Sequence, residues 1–141
     1  MDPRQISFIH IQTICHATED PNKVLKAIQQ ILPEKYIDEV SFKKKILKGH
    51  YGNPIEFIET KIERKEIVST FVEKLLSHLN QMSNMTNHAD NLDSKNQNIY
   101  IRLNKQYAFQ GLIELCSGDS IRIHFRLKKR MKRLSRIEES T

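Results

Sequence analysis

Ile121-Arg122-Ile123-His124-Phe125-Arg126-Leu127-Lys128 alternates apolar with basic or imidazole side chains without a break. Successive side chains of a strand point to opposite faces. The segment therefore predicts a strand over 120–127. Ile121, Ile123, Phe125 and Leu127 form its apolar face, and Arg122, His124, Arg126 and Lys128 its polar one. Such a strand sets requirements for what surrounds it. The apolar side needs a cover, and the basic side is left to solvent or to a ligand.

Two amphipathic helices can supply the cover. Val24, Leu25, Ile28, Ile31 and Leu32 lie on one face of a helix over about 19–32. Thr18 or Asp20 can cap it, Pro21 suits its first turn and Pro33 ends it. Ile67, Val68, Phe71, Val72, Leu75, Leu76, Leu79 and Met82 follow a 3.6-residue period over about 65–82.

The remaining strands read from β-branched and aromatic runs. Residues 5–14 have apolar side chains on both parities, as expected of a central, largely buried strand. Residues 39–48 and 54–63 form a hairpin about the turn-rich Gly49–Pro54. In 98–104, Ile99, Ile101 and Leu103 share a face. A short helical turn over 105–110, ended by Gly111, is followed by a second hairpin pairing 112–116 with 120–127 through Ser117-Gly118-Asp119. The order is β-α-β-β-α-β-(short α)-β-β. This is the α+β class: a two-layer sandwich with a mostly antiparallel sheet and two main helices on one face.

A chain of 141 residues favours one domain, placed here at 1–127. Residues 83–97 are polar and aperiodic and read as a long mobile loop within it. Hydrophobic residues at 38% and charged residues at 28% suit a soluble globular protein. No apolar run approaches the ~20 residues that span a bilayer, and the N-terminus lacks the order of a signal peptide. Membrane insertion and secretion are not expected.

The net charge of +6 is concentrated at one end. Residues 126–141 hold Arg126, Lys128, Lys129, Arg130, Lys132, Arg133 and Arg136 against Glu138 and Glu139, a net +5. Residues 128–141 read as a basic tail. Leu127, Met131, Leu134 and Ile137 would form a narrow apolar stripe if the tail were helical from about 129. Such a segment suits a polyanion, and a disordered, solvated tail is the plain alternative.

Arg102 falls on the polar parity of its strand, with Tyr100 and Asn104 beside it. If the strands share one sheet, Tyr100, Arg102, Arg122, His124 and Arg126 stand together. Cations interleaved with aromatic rings suit phosphates and stacked bases, although an ordinary solvated face would show the same alternation. Lys43, Lys45 and Lys48 make a second basic patch with Lys44, and lysines at a sheet edge also discourage strand pairing.

Catalytic and metal signals are weak. The six histidines are scattered, and no P-loop, nucleophile elbow or dinucleotide fingerprint occurs. Cys15-His16 with Cys116 makes a poor ligand set. The two cysteines read as free thiols of a reducing compartment, bridged only if their strands adjoin. No cofactor, no metal and no enzymatic activity are expected.

His16-Ala-Thr-Glu-Asp-Pro, Val24-Leu-Lys-Ala, Ile101-Arg-Leu-Asn-Lys-Gln-Tyr-Ala and Gly118-Asp-Ser-Ile-Arg-Ile together resemble an archaeal family described as RNA-binding or as a predicted exosome subunit. The resemblance runs over about 5–127, and order and spacing carry it rather than any single motif. It implies a fold like that of the fifth large-subunit ribosomal protein, a cytoplasmic location, and a role for Arg102, Lys105, Gln106 and Tyr107. The expected function is a non-catalytic RNA-binding module accessory to RNA processing or to the ribosome. The competing expectation is a homodimeric scaffold whose basic tail binds an acidic protein partner.

Overall fold

Ile9, Ile11, Thr13 and Cys15 are buried, while Phe8, His10, Gln12 and Ile14 alternate with them on the other side. They belong to β1 (Ile6–Cys15), a central strand in a sheet of order β2-β3-β1-β6-β5-β4. The computed structural model describes residues 3–48, 52–79, 92–93, 97–116 and 118–128. Every pairing within the sheet is antiparallel. The further strands are β2 (Lys43–Lys48), β3 (Pro54–Ile62), β4 (Leu92–Asp93), β5 (Asn98–Asn104) and β6 (Ser120–Leu127).

The apolar residues of both parities in β1 have a local cause. Ile6 pairs with Leu127 but Phe8 pairs with Arg126, so a bulge at Ser7 switches the face. Ile6 then joins the core and Phe8 stands on the open side.

Helix α1 (Pro21–Ile31) starts where the Asp20 carboxylate accepts from the Asn22 amide at 2.9 Å, with proline in the first turn. Val24, Ala27, Ile28 and Ile31 face the sheet. At its far end Lys74 donates to the carbonyls of Gln30 (2.8 Å) and Leu32 (2.7 Å), satisfying acceptors that a helix end leaves open. Burial holds the Lys74 ammonium below the usual lysine range. A 3-10 turn over Glu34–Glu39 leads to β2. Helix α2 (Lys65–Leu79) buries Ile67, Val68, Phe71, Val72 and Leu75. Both helices share one core with Ile58, Ile62, Leu103, Ile121, Ile123 and Phe125, giving the two-layer arrangement. Among the described residues no helix is long and apolar enough to cross a membrane.

One expected element differs. Residues 112–116 do not pair with β6. The Asn104 amide donates to Glu114 O (2.7 Å), and the Cys116 amide to Arg102 O (3.0 Å), around a single bridge between Leu103 and Leu115. A strand has two edges, and both edges of β6 are taken by β1 and β5. On the outer edge of β5, β4 covers Asn98 and Ile99, so Arg102–Asn104 is where 114–116 can bond. Helix α3 (Lys105–Phe109) precedes this return, capped by the Asn104 side chain on the Tyr107 amide (3.0 Å). It ends at Gly111, whose φ of +83° suits a residue without a Cβ.

Cys15 is buried, Cys116 is half-buried, and both are free thiols. Burial, with Glu19 nearby, raises the Cys15 thiol above its ordinary value. The expected turn at 49–51, helix residues 80–82, most of the 83–97 loop and everything after Lys128 lie outside the described residues.

Candidate nucleic-acid interface

The helices occupy one side of the sheet, so the other side presents a grid of cross-strand rows. Arg102 lies directly opposite Arg122, which neighbours Gln12, then Glu59, then Lys43. The next row is Tyr100, His124, His10 and Lys61, and the third is Asn98, Arg126 and Phe8. The pleat puts all these side chains on one face. Tyr100, Arg102, Arg122, His124 and Arg126 are thus brought together, as the alternation predicted.

Rings knit the centre of this face. Tyr100 and His124 stack at 4.6 Å between centroids, 14° from parallel, and Phe8 meets His124 edge-on at 5.7 Å. The Arg122 guanidinium lies 4.8 Å from the Tyr100 ring centre, and the Lys61 ammonium 4.4 Å from that of Phe8. The Asn98 amide oxygen accepts from His124 Nε2 (2.6 Å) and from Arg126 Nη1 (3.1 Å). This places the imidazole proton on Nε2. His10 contacts Glu59 at 3.1 Å. Because His124 already covers one face of Tyr100, the planar Arg122 guanidinium is an exposed surface on which a base can stack.

Arginines directly opposed across two strands repel each other, and like charges so placed destabilise a sheet. Among the described residues neither Arg102 nor Arg122 meets a carboxylate. An anion between them would relieve the repulsion.

His124 is held below the ordinary histidine value, first by burial and then by the charges of His10, Arg122 and Arg126. It is therefore neutral at pH 7 and gains its proton only under more acidic conditions than an ordinary histidine. The added charge would sit in the middle of the arginines. Affinity for an anion on this face should rise as pH falls through that range, and His124→Gln should flatten the rise in titrations from pH 7.5 to 5.5. Folding lowers this pKa, so protonation favours the unfolded chain, and the stability of the free protein should fall over the same window.

Lys105 is a correction. It is only 2% exposed, and its ammonium donates to Ile14 O (2.8 Å), Glu19 Oε1 (2.9 Å) and Asp119 Oδ2 (2.9 Å). Its three protons are used internally, so it fastens the end of β1, the start of α1 and the turn before β6 instead of reaching a phosphate. His16 lies 3.4 Å from Asp119, and its ring with Glu19 and Asp119 forms a group of metal-ligand type. There the Lys105 ammonium already lies against both carboxylates. Replacing Lys105 by Met should lower the unfolding free energy by about 1–3 kcal/mol in urea denaturation, because the Ile14 carbonyl and the Glu19 and Asp119 carboxylates lose their donor.

Gln106 and Tyr107 stand exposed on α3, which packs on α1, and not on the open face. Gln106 lines a cleft of about 340 Å³ with Glu19, Lys23, Lys105 and Phe109. Lys43 and Lys45 share the open face, and Lys48 ends β2. Lys128 is half-buried, its amide donating to Gln5 O at 2.7 Å. Lys129, Arg130, Lys132, Arg133 and Arg136 lie outside the described residues. Phe8, His10, Gln12, Lys61 and Asn98 were not anticipated. The even-numbered side chains of β1 carried the signal, readable only once β1 is placed beside β6.

The comparisons with known proteins agree on a family. A family model described as RNA binding matches residues 8–127. The RNA-binding protein PAB1135 of Pyrococcus abyssi is 33% identical over 123 residues, covering 85% of this chain and 79% of the relative. The uncharacterised protein MJ0213 of Methanocaldococcus jannaschii is 32% identical over 120 residues, covering 82% and 80%. Among solved structures, Mth689 of Methanothermobacter thermautotrophicus, a DUF54 protein, superposes with a TM-score of 0.75 at 26% identity, covering 95% of this chain and 96% of the other.

Proposed function

The chain belongs to the RNA-binding family, and from that premise we propose that the open sheet face binds single-stranded RNA without catalysing a reaction. The observation that carries the reading is the directly opposed pair Arg102 and Arg122, set beside the Tyr100–His124 stack. Phosphates neutralise the arginines, and unpaired bases stack on the exposed guanidinium plane. A duplex hides its bases, so single strands are the better ligand. We propose a cytoplasmic accessory role in RNA processing, near the exosome or the ribosome, as the setting of this activity.

Fluorescence anisotropy with a labelled oligouridylate tests the proposal. With about four phosphates neutralised, log affinity should fall with log salt at a slope near −3, from ~0.7 per contact on a single strand. Deleting 128–141 removes Lys128, Lys129, Arg130, Lys132, Arg133 and Arg136 and should weaken all sequences alike. Absence of binding by the full chain at low salt would overturn the proposal.

A further inference from the structure

The open face accounts for the centre of the sheet, but its β2 edge carries a different chemistry. All six residues of β2 are exposed, with Ile46 at 75% and Leu47 at 42%. One edge of β2 pairs with β3, and among the described residues no strand pairs with the other. At that free edge, on the open side, Leu47 lies opposite Ile55, and Phe57 stands one strand further in, beside Lys45. Lys43, Lys44, Lys45 and Lys48 surround this apolar group. Among the described residues Lys44 alone of the four meets a carboxylate, that of Glu56 at 3.9 Å.

We propose that the outer edge of β2 docks an extended acidic segment of a partner protein, which joins the sheet as a seventh strand. An edge strand offers unpaired amides and carbonyls in the spacing another strand needs. Acidic side chains on the incoming segment would meet Lys43 and Lys45 on one face and Lys44 and Lys48 on the other. Its apolar side chains would cover Ile46 on one side and Leu47 on the other.

Charge selects this occupant over a second copy of the chain. Two β2 strands side by side would bring two sets of four lysines together with little compensating charge. Apolar side chains select it over RNA, because Ile46 and Leu47 offer nothing to a phosphate, and edge amides and carbonyls match a backbone of the same kind.

The test uses the full-length, ¹⁵N-labelled chain and a blocked eight-residue peptide in which pairs of glutamates alternate with pairs of valines, so that each face carries both. Saturable shifts should map to Lys43–Lys48, with slowed amide exchange in β2. Methylating one or other alternate set of peptide amides should weaken binding about tenfold or more, since those donors face β2. Lys43→Glu with Lys45→Glu should weaken it comparably while leaving the melting temperature in place. Equal binding by both methylated peptides would reduce the interaction to charge alone and overturn the proposal. So would shifts confined to the Arg102 and Arg122 rows, absence of binding, or displacement of the peptide from β2 by oligouridylate. Because these readouts concern β2, they stand apart from failure of the oligouridylate assay on the open face.

Discussion

Phe125→Ala should lower the free energy of unfolding by about 3–5 kcal/mol, the range for emptying a phenylalanine site in a packed core. Phe125 is 1% exposed, lies opposite Ile9 on one side and Ile99 on the other, and belongs to the core shared by both helices. Its site is walled by strands on two sides and helices above, so the surroundings cannot collapse into the space. A shift of this size is a large share of the marginal stability of a small domain. Urea denaturation monitored by circular dichroism measures it. Phe71→Ala should match it from the helix side, and Ile46→Ala should change stability by no more than about 0.5 kcal/mol. A loss below about 1 kcal/mol at Phe125 would contradict the packing described.

Arg102→Ala combined with Arg122→Ala should move two quantities in opposite directions. Affinity for oligouridylate should fall about a hundredfold, taking each charged contact at about 1.5 kcal/mol, close to tenfold. Stability of the free chain should instead rise by about 0.2–1 kcal/mol, because a like-charged pair directly opposed across two strands is relieved. Anisotropy gives the first and urea denaturation the second. A merely structural pair would lose stability on removal, so the opposite signs distinguish a ligand site from a scaffold. Single substitutions should each give about a tenfold loss, and a double variant that binds as tightly as the parent would refute the site.

The parts of this molecule that were legible from sequence are those written in local periodicity. The 121–127 alternation, the apolar stripe from Ile67 to Leu75 and the Asp20-Pro21 start each depend on residues within a few positions of one another, and all recur in the fold. The association of Tyr100 and Arg102 with Arg122 and Arg126 needed only the assumption of a shared sheet. What stayed hidden depends on distant pairing. Lys105 looks like one more surface cation until Ile14, Glu19 and Asp119 converge on it from positions far away in the chain. The path of 112–116 follows from which strand edges are already occupied, a property of the whole sheet. Phe8, His10 and Lys61 joined the candidate face only when β1 and β3 took their places, and the bulge at Ser7 decided which side Phe8 would take.

The position of β6 between β1 and β5 also orders events in time. The hairpin of β2 and β3 and its pairing with β1 involve only residues up to Ile62, and can form early during synthesis. The second edge of β1 must wait for residues 122–127, more than a hundred positions later. Until that segment emerges, the central strand of the finished protein is an edge strand, with amides and carbonyls open to other chains. Closing so distant a pairing is entropically slow. The interval before β6 inserts is thus the period in which a nascent molecule is most exposed to misassembly, and a chaperone that shields β1 would act in that interval.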